Sequence, residues 1–570
     1  MKLLFFKILA TGCLFLAGLI ASAQATKTHA VNIPAQQKQV DSLFVNPGKT
    51  LRPGAAILVV RNGTVLYKKG YGYANLEYDV SNSPSTVFHI ASLSKQFTAL
   101  SVLLLVKEGK LSLNDNVNKC LPEMQVFNKP VTILNLLNHT SGLREWIYLL
   151  GLQGYRLNDM FTREQIIKIL SRQRDLNFDP GSKFMYVNSG YNLLAEIVAR
   201  VSGLPFAEFV KQRIFIPLGM THSLVLDNYE TIVKNEAASY SFEGAKGYMK
   251  KTLSFVNVVG STGVLTTAED LSLWAENFET PKVGDAGVFA QMSRRGILTS
   301  GDTSNYAMGQ FIGNYRGLKT IDHSGSDAGF RAHLLRFPEQ KLSIIVLGND
   351  ASLNASGIAY KIADIYLKKD FKKGLPSTTQ PSSVPSQIAG KIDSGAMIKY
   401  VGKYELQPGL IMDFMIEGKY LTVDATGQGK FVLQQISPVA FKINGVNATI
   451  TFQKNEQGDF NNLKFEVNGQ TMKGTRIKRA LLSAENTAPF TGQFYSKELD
   501  ISYLVFYDNG KLMTKSSRSD DIELTEVDKD TFSGNQWYMG IVKFIRDDKQ
   551  IVTGFTVSTD RVEKLVFEKR

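Results

Sequence analysis

The chain changes character part-way along, and this limits the folds open to it. Residues 371–395 hold Pro376, Pro381 and Pro385 among Ser, Thr and Gln, the composition of a linker. Before it, strand-like and helical patterns mix. After it come short alternating segments punctuated by Gly, Asn and Asp, which read as β structure. The 570 residues thus divide into several domains rather than one core.

Residues 24–370 open with a hairpin: Ala55–Val60, a turn at Asn62-Gly63, then Val65–Lys69. Helical patterns follow at 92–108, 164–172, 189–202, 205–213 and 267–278. Strand patterns return at 333–337 and 342–348, and a helix over 354–368 closes the region. Strands at both ends with helices between predict an α+β domain. Its single antiparallel sheet takes its middle strands from late in the chain.

The tail reads as two copies, 396–480 and 488–570. Tyr400-Val401-Gly402-Lys403-Tyr404 resembles Phe490-Thr491-Gly492-Gln493-Phe494. Gly418-Lys419-Tyr420-Leu421 resembles Gly510-Lys511-Leu512-Met513. Phe441 aligns with Phe532, and Ile477 with Phe567. Each copy is long enough for a small antiparallel barrel, which closes its sheet edges on itself.

Residues 1–23 read as a secretory signal. Lys2 and Lys7 flank its start, an apolar stretch runs from Ile8 to Ile20, and Ala21-Ser22-Ala23 supplies small residues for cleavage. The expected location is periplasmic or extracellular. A lipid anchor at Cys13 is not expected, because Ala10 stands where leucine is preferred and the apolar stretch continues past the cysteine. No other segment is long and apolar enough to span a bilayer. The mature chain then keeps Cys120 alone and forms no internal disulfide. With 44% hydrophobic and 21% charged residues, a disordered chain is excluded. The net charge of +13 has no long basic run behind it, so nucleic acid is not an expected partner.

Three clusters carry chemistry. Ser92-Leu93-Ser94-Lys95 opens a helix that is apolar on most faces, hence buried. Ser92 and Lys95, three apart, project from one face. Burial lowers a lysine pKa and lets the amine take a proton. Next, Tyr186-Val187-Asn188 places a phenol and an amide on one side of an extended segment. A phenol beside an ammonium can serve as a base, and the amide offers a donor and an acceptor. Last, His323-Ser324-Gly325-Ser326 precedes a strand. Gly325 lets a substrate backbone come close. The N–H groups of Ser92 and Ser326 are candidates for an oxyanion hole. His323 is a candidate polar contact for a substrate carboxylate or for the phenol. Trp146 and Arg144 are expected to line the cleft, while His139, His333 and Cys120 read as structural. No metal or dinucleotide motif occurs, and neither metal nor cofactor is expected. No Gly-x-Ser-x-Gly elbow occurs either, which argues against an α/β-hydrolase.

In this order and at these distances, Ser-x-x-Lys, Tyr-x-Asn and His-x-Gly resemble the serine β-lactamase-like superfamily. The group in view is that of class C β-lactamases, D-Ala-D-Ala carboxypeptidases and D-aminopeptidases. Leu136-Leu137-Asn138-His139-Thr140-Ser141-Gly142-Leu143 and Gly260-Ser261-Thr262-Gly263-Val264-Leu265 match as well. The resemblance covers about residues 40–370 and implies a β-lactamase/transpeptidase-like fold. It implies acyl transfer through Ser92, with Lys95 and Tyr186 sharing the base role. Asn188 would hold Lys95 and the substrate amide. The tail is similar to the lipocalin-like C-terminal domains of some relatives.

One departure bears on substrate. His323 stands where class C β-lactamases carry lysine, and histidine is mostly neutral at pH 7. The expected protein is therefore an exported serine hydrolase of a small amide, ester or D-amino-acid peptide, a cell-wall-derived peptide among the candidates. A β-lactamase or penicillin-binding carboxypeptidase is the alternative on the same fold. A catalytically silent peptide- or partner-binding protein is the alternative of another class. Bond type, stereospecificity and oligomeric state are left open by the sequence.

Overall fold

The computed structural model describes residues 35–44, 51–243, 246–253, 257–372, 397–407, 410–417, 420–425, 429–443, 448–467, 470–477 and 483–570. The expected leader, and the expected linker beyond its first two residues, lie outside these. The helix Ala35–Ser42 belongs to a unit of its own, residues 1–46.

Seven strands form the main sheet: β1 (Ala55–Arg61), β2 (Thr64–Tyr71), β3 (Tyr306–Ala307), β4 (Gln310–Tyr315), β5 (Leu318–Asp327), β6 (Phe330–Phe337) and β7 (Leu342–Gly348). Their spatial order is β3-β4-β5-β6-β7-β1-β2. The first hairpin thus joins at one edge, and the middle comes from late strands, as the sequence predicts. β1 pairs with β7 in a register running from Ala55↔Gly348 to Arg61↔Leu342. β7 is buried along its whole length, and β1 at all but its last residue. Continuous apolar runs of this kind need cover on both faces.

The helices that matter for the site are α1 (Lys95–Lys107), α2 (Trp146–Leu152) and α3 (Asn188–Ser202). Every α1 residue from Lys95 to Leu105 is buried. Its two buried hydroxyls beyond the first turn are satisfied inside: Thr98 donates to the Gly260 carbonyl at 2.7 Å and Ser101 to the Phe97 carbonyl at 2.8 Å. Bonding of this kind is what makes polar burial tolerable.

The tail forms two closed eight-stranded antiparallel barrels. The first runs from strand Gly402–Gln407 to strand Gln470–Arg476, the second from Gly492–Ser496 to Leu565–Lys569. The repeat is visible in detail. Tyr404 and Phe494 are both fully buried, as are Phe441 and Phe532. Gly402 and Gly492 share a backbone angle that side chains rarely adopt, φ 137° and 131°.

Two of the expected correspondences shift. Strands Tyr420–Ala425 and Lys511–Ser516 both begin exposed-then-buried. Leu421 therefore matches Leu512, one residue off the sequence alignment. At the last strand Arg476 pairs with Tyr404 as Lys569 pairs with Phe494, so Ile477 has no counterpart in Phe567. Alternation of burial, not residue likeness, sets strand register.

The barrels differ in how they attach. The first has its own apolar core. The core of the second is continuous with that of the α+β domain. Tyr148 packs edge-on against Trp537, with ring centroids 5.1 Å apart. The Tyr503 hydroxyl donates to the Leu152 carbonyl at 2.8 Å. The Arg144 guanidinium, 1% exposed, donates to both oxygens of Glu498 at 2.8 and 2.9 Å.

Candidate active site

The site begins at a strained turn. Ala91, just before Ser92, lies in the left-handed region with φ 48°, which costs a non-glycine residue about 1–3 kcal/mol. A 3₁₀ turn, Ala91–Ser94, then leads into α1. Ser92 sits on the turn and Lys95 is the first residue of the helix.

The Lys95 ammonium position is fixed by three acceptors. Nζ lies 3.1 Å from Ser92 Oγ, 2.8 Å from Asn188 Oδ1 and 2.9 Å from the Ser261 carbonyl. It also stands 4.9 Å from the centroid of the Tyr186 ring. Lys95 is fully buried, and burial pulls its pKa down from 10.5 to about 7. Glu145 and Asp327 act against this shift and Arg561 adds to it. A good part of Lys95 is therefore a neutral amine near pH 7.

Tyr186 behaves otherwise. Its hydroxyl bonds to Ser92, but burial pushes its pKa up, against that bond and against Arg561. The expectation of a phenolate beside an ammonium is not what the surroundings favour. With a half-neutral lysine beside it, and burial outweighing the bond to Ser92, the phenol keeps its proton. The His139 ring lies tilted against Tyr186, with centroids 4.3 Å apart, and accepts the Val187 N–H at 3.3 Å. This residue, expected to be merely structural, thus supports the phenol directly.

His323 lies inside the protein. It is 2% exposed. Nδ1 lies 2.6 Å from the Ser324 carbonyl and Nε2 lies 3.3 Å from the Tyr306 hydroxyl. A carbonyl only accepts, so Nδ1 carries the proton and Nε2 accepts from the tyrosine. Burial, followed by the charge of Lys95, lowers its pKa to about 3. The ring is neutral and both nitrogens are engaged, so it makes no carboxylate contact.

Gly325 and Ser326 lie on β5, paired with Ala332 and Arg331 of β6. On its other side β5 pairs with β4 only as far as Asp322. A Cβ on Gly325 would fall 2.0 Å from the Ile90 carbonyl. Glycine is needed here so that β5 can lie against the turn that carries Ser92. The close approach serves the protein's own backbone, where the sequence suggested a substrate's.

Trp146 and Arg144, expected in the cleft, are elsewhere. Trp146 is 3% exposed in the apolar core, edge-on to Phe161 at 5.4 Å. Arg144 is spent on Glu498. The residue between them was missed by sequence reasoning. Glu145, fully buried, accepts the Asn188 N–H at 2.6 Å through Oε2. Burial raises its pKa. Arg561, from the second barrel, lies with Nη1 3.6 Å from that same oxygen and its guanidinium carbon 5.9 Å from the Tyr186 ring centroid. Among the described residues no group of three or more His, Cys, Asp or Glu side chains is placed to hold a metal.

The Beta-lactamase family model matches residues 40–366. The chain belongs to this family. Its members are serine hydrolases of the β-lactamase fold, which agrees with the architecture and with the resemblance seen in the motifs. The chain is 26% identical to penicillin-binding protein 4* of Bacillus subtilis over 447 residues, 74% of this chain and 94% of that protein. It is 33% identical to protein flp of Staphylococcus aureus (strain COL) over 324 residues, 55% of this chain. That match spans only 63% of flp. Among solved structures, the octameric penicillin-binding protein homologue from Pyrococcus abyssi shares the fold. The TM-score is 0.51 at 24% identity, over 74% of this chain and 96% of that one. Among the described residues of this family member, no helix is long and apolar enough to cross a membrane.

Proposed function

We propose that the protein is an exported serine hydrolase that cleaves a small amide, ester or D-amino-acid-containing peptide through an acyl-enzyme on Ser92. The observation that carries this reading is the 3.1 Å contact between Lys95 Nζ and Ser92 Oγ, made by an amine that burial brings to about 7. Neutral Lys95 takes the Ser92 proton as Oγ attacks the substrate carbonyl. The Ser92 and Ser326 N–H groups hold the oxyanion. Asn188 keeps Lys95 in place. Tyr186, still a phenol and bonded to Ser92, relays the proton to the leaving group. Lys95 is neutral again; it takes a proton from the water that attacks the acyl carbonyl and passes it to Ser92 Oγ as the acid product leaves.

Hydrolysis of p-nitrophenyl butyrate by the mature protein, beside Ser92→Ala, tests the reading. Turnover lost in the variant, with an acyl adduct on Ser92 seen by mass spectrometry, supports it. Equal rates in both proteins sink it and leave a binding protein. A second reading, a penicillin-binding carboxypeptidase or β-lactamase, has the likeness to penicillin-binding protein 4* behind it. Covalent labelling by a fluorescent penicillin, lost in Ser92→Ala, would favour it. The family relation and residues 1–23 support a periplasmic or extracellular site of action on a peptide from the cell wall.

A further inference from the structure

Arg561 sits on the connection between the last two strands of the second barrel, Val552–Ser558 and Leu565–Lys569. This short loop is held firmly. The Arg561 carbonyl accepts the Glu145 N–H at 3.2 Å and Asn177 Nδ2 at 3.0 Å. The Glu563 N–H donates to Asn177 Oδ1 at 2.7 Å, and the Glu563 carbonyl accepts Arg144 Nη2 at 3.0 Å. Every one of these anchors uses loop backbone, so the Arg561 side chain is positioned without being consumed.

The side chain is 35% exposed, beside a Glu145 that is fully buried. Its guanidinium makes two ion pairs, 3.6 Å to Glu145 and 3.5 Å to Asp560. Both are longer than an N–H···O hydrogen bond, which leaves its forked donors available. It shares the Tyr186 ring with Lys95, at 5.9 and 4.9 Å from the centroid. The charged groups that act on Lys95 are Glu145, Arg561 and Asp327. Arg561 is the one permanent cation among them. His323, the sequence's candidate polar contact for a carboxylate, is neutral and engaged on both nitrogens.

We infer that Arg561 is a substrate-binding residue that receives a carboxylate, so that the second barrel supplies the charged part of the α+β domain's substrate site. The inference rests on the hydrolase reading above and narrows it to substrates bearing a free carboxylate. A planar guanidinium matches a carboxylate through two parallel hydrogen bonds. The same contact would be wasted on a neutral ester or amide.

The test uses the full mature chain, Arg561→Gln and Arg561→Lys, with two matched pairs of probes. One pair is mono-p-nitrophenyl glutarate against p-nitrophenyl butyrate. The other is N-acetyl-D-alanyl-D-alanine against its C-terminal amide. Arg561→Gln should lower kcat/KM for the carboxylate member of at least one pair by about tenfold to a hundredfold, mainly through KM. Its neutral twin should lose far less, because the rise in the Lys95 pKa on removing Arg561 falls on both members alike, and Arg561→Lys should recover part of the difference. Equal losses within both pairs, or no loss in either, would overturn the inference, because a merely structural arginine does not discriminate. Should Arg561→Gln fail to fold, the same comparison is read on Arg561→Lys, which keeps the charge and loses the fork. If Ser92→Ala matches wild type on all four probes, the hydrolase reading fails instead. Calorimetric binding of N-acetyl-D-alanyl-D-alanine then decides: affinity lost in Arg561→Gln sustains the carboxylate site, and unchanged affinity removes it.

Discussion

Nη1 of Arg144 donates to both carboxylate oxygens of Glu498, in an ion pair that is almost wholly buried between the α+β domain and the second barrel. It joins residues 354 apart in sequence. Taking one partner away leaves an uncompensated charge in a dry interface, a loss of about 3–5 kcal/mol in other buried pairs. Glu498→Ala should therefore lower the unfolding free energy by that order, and with it the denaturation midpoint in urea. Because the same interface carries the Glu145 and Arg561 backbone contacts, activity should fall with it. An unchanged midpoint would mean that the barrel docks through its apolar core alone.

The shared core has a larger consequence. A chain ending at residue 372 would expose the apolar side of α2, where Tyr148 meets Trp537 and Leu152 meets Tyr503. Exposed patches of this kind drive aggregation. Such a truncation should be recovered mostly insoluble. The first barrel, with its separate core, makes no comparable demand. Replacing residues 397–477 by a flexible linker should leave a soluble, folded protein with esterase activity within about threefold of wild type, the loss expected of positions outside the site. Solubility and circular dichroism of the two constructions separate these outcomes.

What the sequence made legible, and what it did not, follows from separation along the chain. Ser92 with Lys95, and Tyr186 with Asn188, are local pairs whose spacing already sets a shared face. Of the late middle strands, β7 was readable as an apolar run, and β6 by its apolar Leu334-Leu335 centre between Arg331, His333 and Arg336. Arg561 was not readable, since its meeting with Glu145 depends on how a barrel docks more than 400 residues downstream. Glu145 lay between two residues that were picked, Arg144 and Trp146. Neighbours on an extended segment point to opposite sides, and both choices faced away from Lys95. The burial of His323 and its bond to Tyr306 were not readable, since no local pattern reveals them.

The identity of the base can be read from a pH profile. A neutral Lys95 is needed to take the Ser92 proton, and its pKa is lowered to about 7. As pH falls below that value the ammonium form grows, so kcat/KM should drop about tenfold per unit on the acid side. Were phenolate Tyr186 the base, its raised pKa would put the rise far into the alkaline range. An acid limb near 7 supports Lys95, and a profile still climbing above pH 10 refutes it.

Glu145 gives that profile a sign to check. Its negative charge raises the Lys95 pKa, and Oε2 also accepts the Asn188 N–H. Glu145→Gln removes the charge while keeping an oxygen in place for that bond. The ammonium form of Lys95 then loses a favourable neighbour, and Arg561, which lowers the same pKa, is left unopposed at that point. The acid limb should therefore move to lower pH, with more of the enzyme active at pH 6 relative to its own plateau. Burial raises the Glu145 pKa, against the pull of Arg561 and of the Asn188 N–H. A limb that moves upward would show that Glu145 acts on Lys95 through the position of Asn188 and not through its charge.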